Sequence, residues 1–167
     1  MAWLARIPVL KFLNRIKYPA ILAFSTTSSE VALPSAMEEL VKMGVSRRVV
    51  SFVLPAGYSF NLDGTALYPS VALLSIAQAA GVPMSAGQQL IAMLTLMLTS
   101  KGAAGVPRAS IVVLSGMLTV FGLPAEGVAL LLSVDLIMDM GRTTLNLVGN
   151  CLATAVVARW EGELNDK

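Results

Sequence analysis

The sequence predicts an all-α membrane protein made of two inverted repeats, each a re-entrant helical hairpin followed by a broken transmembrane helix. Three observations carry that prediction. The 167 residues are 56% hydrophobic and only 13% charged, with a mean hydropathy of +0.74, where soluble domains average about a quarter charged residues. The apolar runs, 18–24, 49–60, 65–82, 83–99, 111–123 and 127–158, are interrupted by two short breaks of one character, "STTSSEVALP" (25–34) and "TSKGAAGVP" (99–107). Each break consists of small or polar residues and closes on a proline. Each is followed by a longer apolar span with its own polar insert, "FNLDGTAL" (60–67) after the first and "DLIMDMGRTTLNLVGN" (135–150) after the second.

The first element is a hairpin over 4–44. The runs beside its break are too short to cross about 30 Å of hydrocarbon, which takes about 20 helical residues, so the chain enters, breaks and returns. Irregular backbone at that depth needs protein or a water-filled cavity around it. The second element, 47–82, is a transmembrane helix broken near 61–65, where Gly64 permits unwinding and freed carbonyls can coordinate a cation. The third, 83–123, repeats the hairpin around 99–107. The fourth, 127–160, is the last transmembrane helix. A returning hairpin adds no crossing and a spanning helix adds one, so the second repeat starts from the opposite face. Such inverted repeats are typical of secondary transporters, with the site near the bilayer midplane. The twelve Lys and Arg residues agree. Arg6, Lys11, Arg15 and Lys17, then Lys42, Arg47 and Arg48, then Arg159 and Lys167 fall on one side, which the positive-inside rule makes cytoplasmic. The segments near 79–88 and 122–128, on the other side, hold no Lys or Arg. Trp3 and Trp160 suit the cytoplasmic interface.

Histidine is absent, which excludes a His metal site, Ser-His catalysis and a His proton relay. The single cysteine, Cys151, excludes an internal disulfide and a multi-Cys zinc site. No enzyme, no cofactor and no nucleic-acid partner is expected, since no basic cluster interleaves with aromatics. Lys101, Arg108 and Arg142 remain within the apolar zone, with Glu30, Asp63, Asp135 and Asp139.

At 3.6 residues per turn, Asp135, Asp139, Arg142, Asn146 and Asn150 share one helix face, with Thr143 beside them. An unpaired ion at the bilayer centre costs at least about 2.5–3.5 kcal/mol, so this face must meet protein or water. One reading is an Asp139–Arg142 pair that only neutralises itself. The other is ligand recognition: a guanidinium grips a carboxylate with two prongs, a carboxylate receives an ammonium, and Asn146 donates and accepts. That set suits an acidic amino acid. Asn61 and Asp63 offer oxygen ligands to a cation, and sodium at this pair is one expectation; a glycine kink with a hydrogen-bonded Asp63 is the plainer one. "NLDGT" also resembles the first motif of haloacid-dehalogenase-type phosphatases. Asn61 stands at the nucleophile position, however, and Pro55 and Gly57 disfavour the buried strand that precedes such a motif. At the hairpin tips Ser28 and Ser29 add hydroxyls, helix N-termini attract anions, and Gly102 and Gly105 let backbone come close. Ordinary helix–helix turns are the alternative at each tip.

"STTSSEVALP", "GYSFNLDGTALY", "TSKGAAGVP" and "DMGRTTLNLVGN" resemble, in order, the four signature regions of the dicarboxylate/amino acid:cation symporters, the glutamate transporter family, and in particular its bacterial proton/glutamate–aspartate members. The resemblance covers nearly the whole chain and implies residue roles. Asp139 would hold the substrate's amino group, Arg142 its side-chain carboxylate, and Thr143 and Asn146 its backbone groups. Thr65 would lie beside the substrate. Ser28 and Ser29 in the first tip, and Gly105 and Val106 in the second, would complete the pocket, the second hairpin acting as outer gate. Gly57, Asn61, Asp63, Asn146 and Asn150 match positions of the cation sites. Sodium-coupled members have Met where this chain has Leu62 and Asp where it has Asn150, and Lys101 and Ala103 stand where a sodium ligand set is expected. The coupling ion implied is therefore H+, with Na+ the alternative. A carboxylate, Glu30, Asp63 or Asp139, would carry the proton. The substrate implied is glutamate or aspartate, with a C4-dicarboxylate as alternative, and the location is the plasma or inner membrane, multi-pass. Family members carry scaffold helices and trimer contacts ahead of the first hairpin. This chain is thus expected to be the substrate-binding half, its partners the lipid bilayer and an N-terminal scaffold half, and the family's homotrimer does not carry over to it. A channel subunit with the tips as filter loops and a non-transporting remnant are the other readings.

Overall fold

The computed structural model describes residues 7–60, 63–103 and 109–165. Among them every helix and turn follows one order: α1 (Val9–Thr26), α2 (Ser29–Lys42), α3 (Arg47–Phe60), α4 (Asp63–Ala79), α5 (Ala86–Thr99), a 3₁₀ turn (Ser100–Ala103), α6 (Ala109–Val120), α7 (Glu126–Leu132) and α8 (Asp135–Trp160). The chain divides into two compact units, Met1–Asn61 with Thr143–Lys167, and Leu62–Arg142. Helix α8 contributes its first residues to the second unit and the remainder to the first.

The first unit is built on the α1–α2 hairpin. Its turn is only Thr27 and Ser28, far tighter than the break read at 25–34. Thr27 adopts a left-handed φ of 52°, and the Ser28 hydroxyl accepts the Val31 amide at 3.4 Å, a serine N-cap that starts α2 at once. Pro34 therefore lies inside α2 rather than closing a loop. It cannot donate to the carbonyl four residues back; the buried flank of Ala32, Ala36 and Leu40 holds the helix through that gap. Small residues let the helices approach closely: Ala23, Ala32, Ala36, Ala155 and Ala158 are all 0% exposed and share one core with Leu40, Leu54 and Cys151. The chain's end closes this unit. Val45 bridges Leu164, the Ser46 amide donates to Glu163 C=O at 3.0 Å, and the Asn165 amide donates to Gly44 C=O at 2.9 Å.

In the second unit α4, α5 and α6 pack around Leu73, Leu96, Leu114 and Leu118. Helix α5 opens with a capping box, the Ser85 hydroxyl accepting the Gln88 amide and the Gln88 side chain accepting the Ser85 amide. It runs into the 3₁₀ turn; the rest of that tip, 104–108, lies outside the described residues. The span expected over 127–160 is two helices. Ser133 and Val134 form the joint, with the Ser133 hydroxyl donating to Leu130 C=O at 2.7 Å. The joint places Asp135 at the first position of α8, where a carboxylate meets the positive end of the helix dipole. The apolar run continues through the joint, so hydropathy alone does not mark it.

Among the described residues no helix is long and apolar enough to cross a membrane. The expected span 47–82 consists of α3 with 14 residues and α4 with 17, each short of the about 20 that a crossing takes. In the 26-residue α8 the arginine and asparagines pull the mean hydropathy down. The distribution of polarity is the informative feature. Leu10, Phe52, Leu98 and Val112 are 80%, 77%, 75% and 73% exposed, whereas Asp135, Arg142 and Asn150 are 1%, 5% and 4% exposed. Water-soluble folds arrange these classes the other way round. Hydroxyls on the helices bond back to their own backbone, Ser75 to Val71 C=O at 2.9 Å and Thr95 to Ile91 C=O at 2.8 Å, which hides their polarity from apolar surroundings.

Gly44 has φ +108°, and a Cβ there would collide with the Asn165 carbonyl oxygen. Gly44→Ala is expected to destabilise the protein by about 1–3 kcal/mol, read as a lowered thermal midpoint in detergent. Gly81→Ala, with φ +67° and nothing within 4 Å of its Cβ, bears only the backbone strain and should lose about 1 kcal/mol.

Candidate functional site

Helix α8 carries the whole polar stripe on one face, as 3.6-residue spacing requires. Asp135, Arg142, Asn146 and Asn150 are buried, while Leu136, Ile137 and Leu145 on the other faces are exposed. Asp139 is the partly open member, its side chain 20% exposed.

In the second unit the stripe converges on Arg142. Its Nη2 donates to Asp139 Oδ1 at 2.7 Å and to Asp135 Oδ1 at 3.3 Å. Its guanidinium lies over the Tyr68 ring, 4.4 Å from the centroid, within cation–π range. Arg142 Nη1 and the Tyr68 hydroxyl are buried and make no hydrogen bond among the described residues. The Asp139–Arg142 pair, one of the two readings of the stripe, is thus present, and a second carboxylate joins it. Helical spacing places Asp135 in the stripe without assigning it a role, and it does not single out Tyr68. The register of α4 holds a signal for Tyr68: Gly64 and Tyr68 are one turn apart and share a face. A Cβ at Gly64 would lie 2.7 Å from the Arg142 carbonyl oxygen and 3.0 Å from its Cα.

This corrects the expectation for Gly64. The residue lies inside α4, in helical backbone, and not in an unwound stretch. Its missing side chain serves close approach of α4 to α8. Asp63 heads α4 and is exposed, and Thr65 is half-buried. Asn61, the expected partner of Asp63 for sodium, lies outside the described residues, as do Gly105 and Val106 of the second tip. Gly102 is exposed in the 3₁₀ turn.

In the first unit the tip of the α1–α2 hairpin meets α8. Ser29 Oγ donates to Thr143 C=O at 3.4 Å. Ser28 uses its hydroxyl oxygen as the cap of α2. Glu30, one of the expected proton carriers, accepts the Tyr58 hydroxyl at 2.8 Å; Tyr58 on α3 was also not foreseen. Gly57, one residue before it, brings α3 against α8, since a Cβ there would lie 2.7 Å from Asn150 Oδ1. The Thr154 hydroxyl donates to Asn150 C=O at 2.8 Å. Gly57 and Asn150, both matched to cation-site positions by resemblance, are therefore neighbours, and the side-chain oxygen there belongs to an amide rather than a carboxylate. Amide oxygens hold a hard cation less strongly than charged ones do. Among the described residues no three His, Cys, Asp or Glu side chains gather as a metal site.

The model of the sodium:dicarboxylate symporter family matches residues 1–160. A proton/sodium-glutamate symport protein of Bacillus subtilis (strain 168) is 50% identical over 165 residues, 99% of this chain and 38% of the relative. A proton/glutamate-aspartate symporter of Escherichia coli (strain K12) is 48% identical over 167 residues, 100% of this chain and 38% of the relative. A C4-dicarboxylate transport protein 2 of Mesorhizobium japonicum is 48% identical over 159 residues, 95% of this chain and 36% of the relative. The chain thus spans well under half the length of these relatives.

The two close-approach glycines differ in what a side chain would strike. At Gly64 it is the backbone of Arg142, at Gly57 the end of the Asn150 side chain. Gly64→Ala is expected to destabilise by about 1–3 kcal/mol, and Gly57→Ala by less, since an amide can rotate away. Thermal unfolding of the two variants side by side checks the order.

Proposed function

The chain belongs to the sodium:dicarboxylate symporter family, a family of membrane carriers rather than enzymes, and we propose that it is the substrate-binding half of a symporter for glutamate or aspartate. The observation that carries the reading is the Arg142 guanidinium, buried with two carboxylates, one of them partly open. Arg142 anchors the substrate's side-chain carboxylate in a two-pronged bond, and Asp139 receives its ammonium. Thr143 and Asn146, further along the same helix, are the candidates for its backbone groups, and the resemblance adds Thr65, Ser28, Ser29, Gly105 and Val106 as binding residues.

An acidic amino acid carries a net negative charge, and an anion brought into apolar surroundings is costly without a compensating cation, which supports cation coupling. The relatives' names include both proton and sodium. The amide at Asn150 favours the proton here, carried by Glu30, Asp63 or Asp139, with Gly57, Asn61, Asn146 and Asn150 as the positions where a cation would sit. A C4-dicarboxylate is the second reading, favoured by the relatives named for that substrate at similar identity.

The element order supports an architecture of two inverted repeats in the plasma or inner membrane. The α1–α2 hairpin with α3 and α4 forms one repeat, and the α5–α6 hairpin with α7 and α8 forms the other. Alternating access needs a partner against which such a domain moves, and the part of the relatives' length that this chain does not cover leaves room for such a scaffold.

The test is uptake of labelled aspartate into proteoliposomes by a full-length carrier containing this chain. Aspartate and glutamate should compete strongly and succinate weakly, and a pH gradient should drive uptake without sodium. Arg142→Ala removes the partner of buried carboxylates, worth about 2–5 kcal/mol, and should lower kcat/KM at least about 30-fold. Uptake that needs sodium and ignores pH would overturn proton coupling, and strong inhibition by succinate would favour the second reading.

A further inference from the structure

We propose that Arg47, Arg48 and Trp160 form a docking site for an anionic phospholipid, the guanidiniums holding the headgroup phosphate while an acyl chain lies along Phe52. The premise is membership of a family of membrane carriers; the substrate plays no part in it.

One end of the first unit gathers these residues. The chain turns from α2 into α3 over 43–46, and the bridge between Val45 and Leu164 ties the end of α8 to that turn. The Ser46 amide, one residue before Arg47, donates to Glu163 C=O at 3.0 Å. The Glu163 amide in turn donates to Ala158 C=O at 2.8 Å, in the last turn of α8. Arg47, Arg48 and Trp160 therefore share one end of the unit. The first half of α1 lies there too, since Arg15 reaches Glu39 near the end of α2 at 3.6 Å.

The charges at this end fall into two groups. Glu39 meets Lys42 at 2.7 Å as well as Arg15, and Glu38 lies 4.0 Å from Lys42. Those cations are answered within the unit. Arg47 and Arg48 are both exposed, and the first turn of α3 holds no acidic residue. Among the described residues no ion pair joins either arginine to a carboxylate, those of Glu161 and Glu163 included. Two adjacent guanidiniums without a protein counter-ion suit a phosphate, whose oxygens accept forked pairs of N–H donors.

The neighbouring surface selects a lipid as the source of that phosphate. Phe52, one turn beyond Arg48 on the same face of α3, is 77% exposed, and Leu10 on α1 is 80% exposed. An arginine above such a face lays its stem on the apolar surface and keeps its head in the headgroup layer. Trp160 is 71% exposed where α8 ends, and an indole there belongs to the same layer, its ring among the acyl ends and its N–H on a lipid oxygen. A free phosphate would meet the arginines and leave Phe52 and Trp160 uncovered. A zwitterionic headgroup would bring an ammonium to a place that already holds two cations. An anionic headgroup of the phosphatidylglycerol class brings the phosphate without it, and a lipid so held fixes this end of the unit at the membrane surface.

The test places the purified full-length carrier containing this chain in nanodiscs of phosphatidylcholine with increasing phosphatidylglycerol, one lipid or the other carrying brominated acyl chains. The signal is quenching of Trp160 fluorescence, taken as the difference between wild type and Trp160→Phe. Wild type should prefer phosphatidylglycerol by about 25-fold, from two arginines at about fivefold each. Arg48→Gln should lower the preference about fivefold, and Arg47→Gln combined with Arg48→Gln should abolish it. Arg15→Gln removes a charge that Glu39 already meets, and should leave the preference within about twofold. Should Trp160→Phe not fold, the phosphatidylglycerol retained in native mass spectrometry gives the same comparison. Equal quenching by the two lipids, or an unchanged preference in the double variant, overturns the site. A loss in Arg15→Gln as large as in Arg48→Gln means that net charge alone is read, and overturns it as well. Glycerol phosphate in solution that erases the preference marks a site for phosphate of any source and overturns the lipid as its occupant.

Discussion

A guanidinium buried in an apolar helix bundle is the constraint from which much of the second unit follows. Arg142 is 5% exposed, and its charge is tolerable only with carboxylates in reach. That requirement accounts for the spacing on α8, where Asp139 lies one turn before Arg142 and Asp135 two turns before it. It also accounts for the joint at Ser133 and Val134. Starting α8 at Asp135 gives that carboxylate the helix dipole as well as the arginine, which makes its near-complete burial sustainable. The glycine at 64 and the ring at 68 complete the enclosure from α4, one by admitting backbone contact and the other by stacking.

The first unit meets a different constraint, the close packing of helices whose core mixes large side chains such as Phe12, Ile16, Leu40 and Leu54 with alanines. Alanines at the contacts of α1, α2 and α8 bring backbones together, and packing rather than hydrophobic transfer then holds the helices where the surroundings are themselves apolar. The short bridge between residues 45 and 164 ties the end of α8 to the α2–α3 connection. At the other end of α2, Ser29 reaches the Thr143 carbonyl of α8. Interior prolines at 19, 34, 55 and 69 interrupt the hydrogen-bond ladders of α1 to α4, yet each helix persists, since its buried flank supplies more than the missing bond removes.

Polarity in this protein is arranged by partner rather than by exposure. The most buried groups include the Asp135 carboxylate and the Arg142 guanidinium, while leucines, valines and phenylalanines stand outward. The asparagines on α8 and the tyrosine–glutamate pair between α3 and α2 extend the pattern into the first unit. In the proposed carrier this arrangement has a use. Charged groups held by other protein groups are available to a ligand that offers a better match, whereas the same groups in water would already be satisfied.

Much of this was legible in the sequence, because it concerns single elements. Helical spacing alone put Asp135, Asp139, Arg142, Asn146 and Asn150 on one face, and an ion's cost in hydrocarbon turned that face inward. The small polar break at 25–34 contains the turn between α1 and α2, though the serine cap at Ser28 shortens that turn to two residues and leaves Pro34 inside a helix. What the sequence could not determine is which elements face one another. Tyr68 under Arg142, Tyr58 on Glu30, Gly57 against Asn150 and the role of Asp135 as second counter-ion each depend on contact between residues far apart in the chain. Periodicity describes a helix about its own axis; the partner across the interface is chosen by packing, which only the tertiary structure decides.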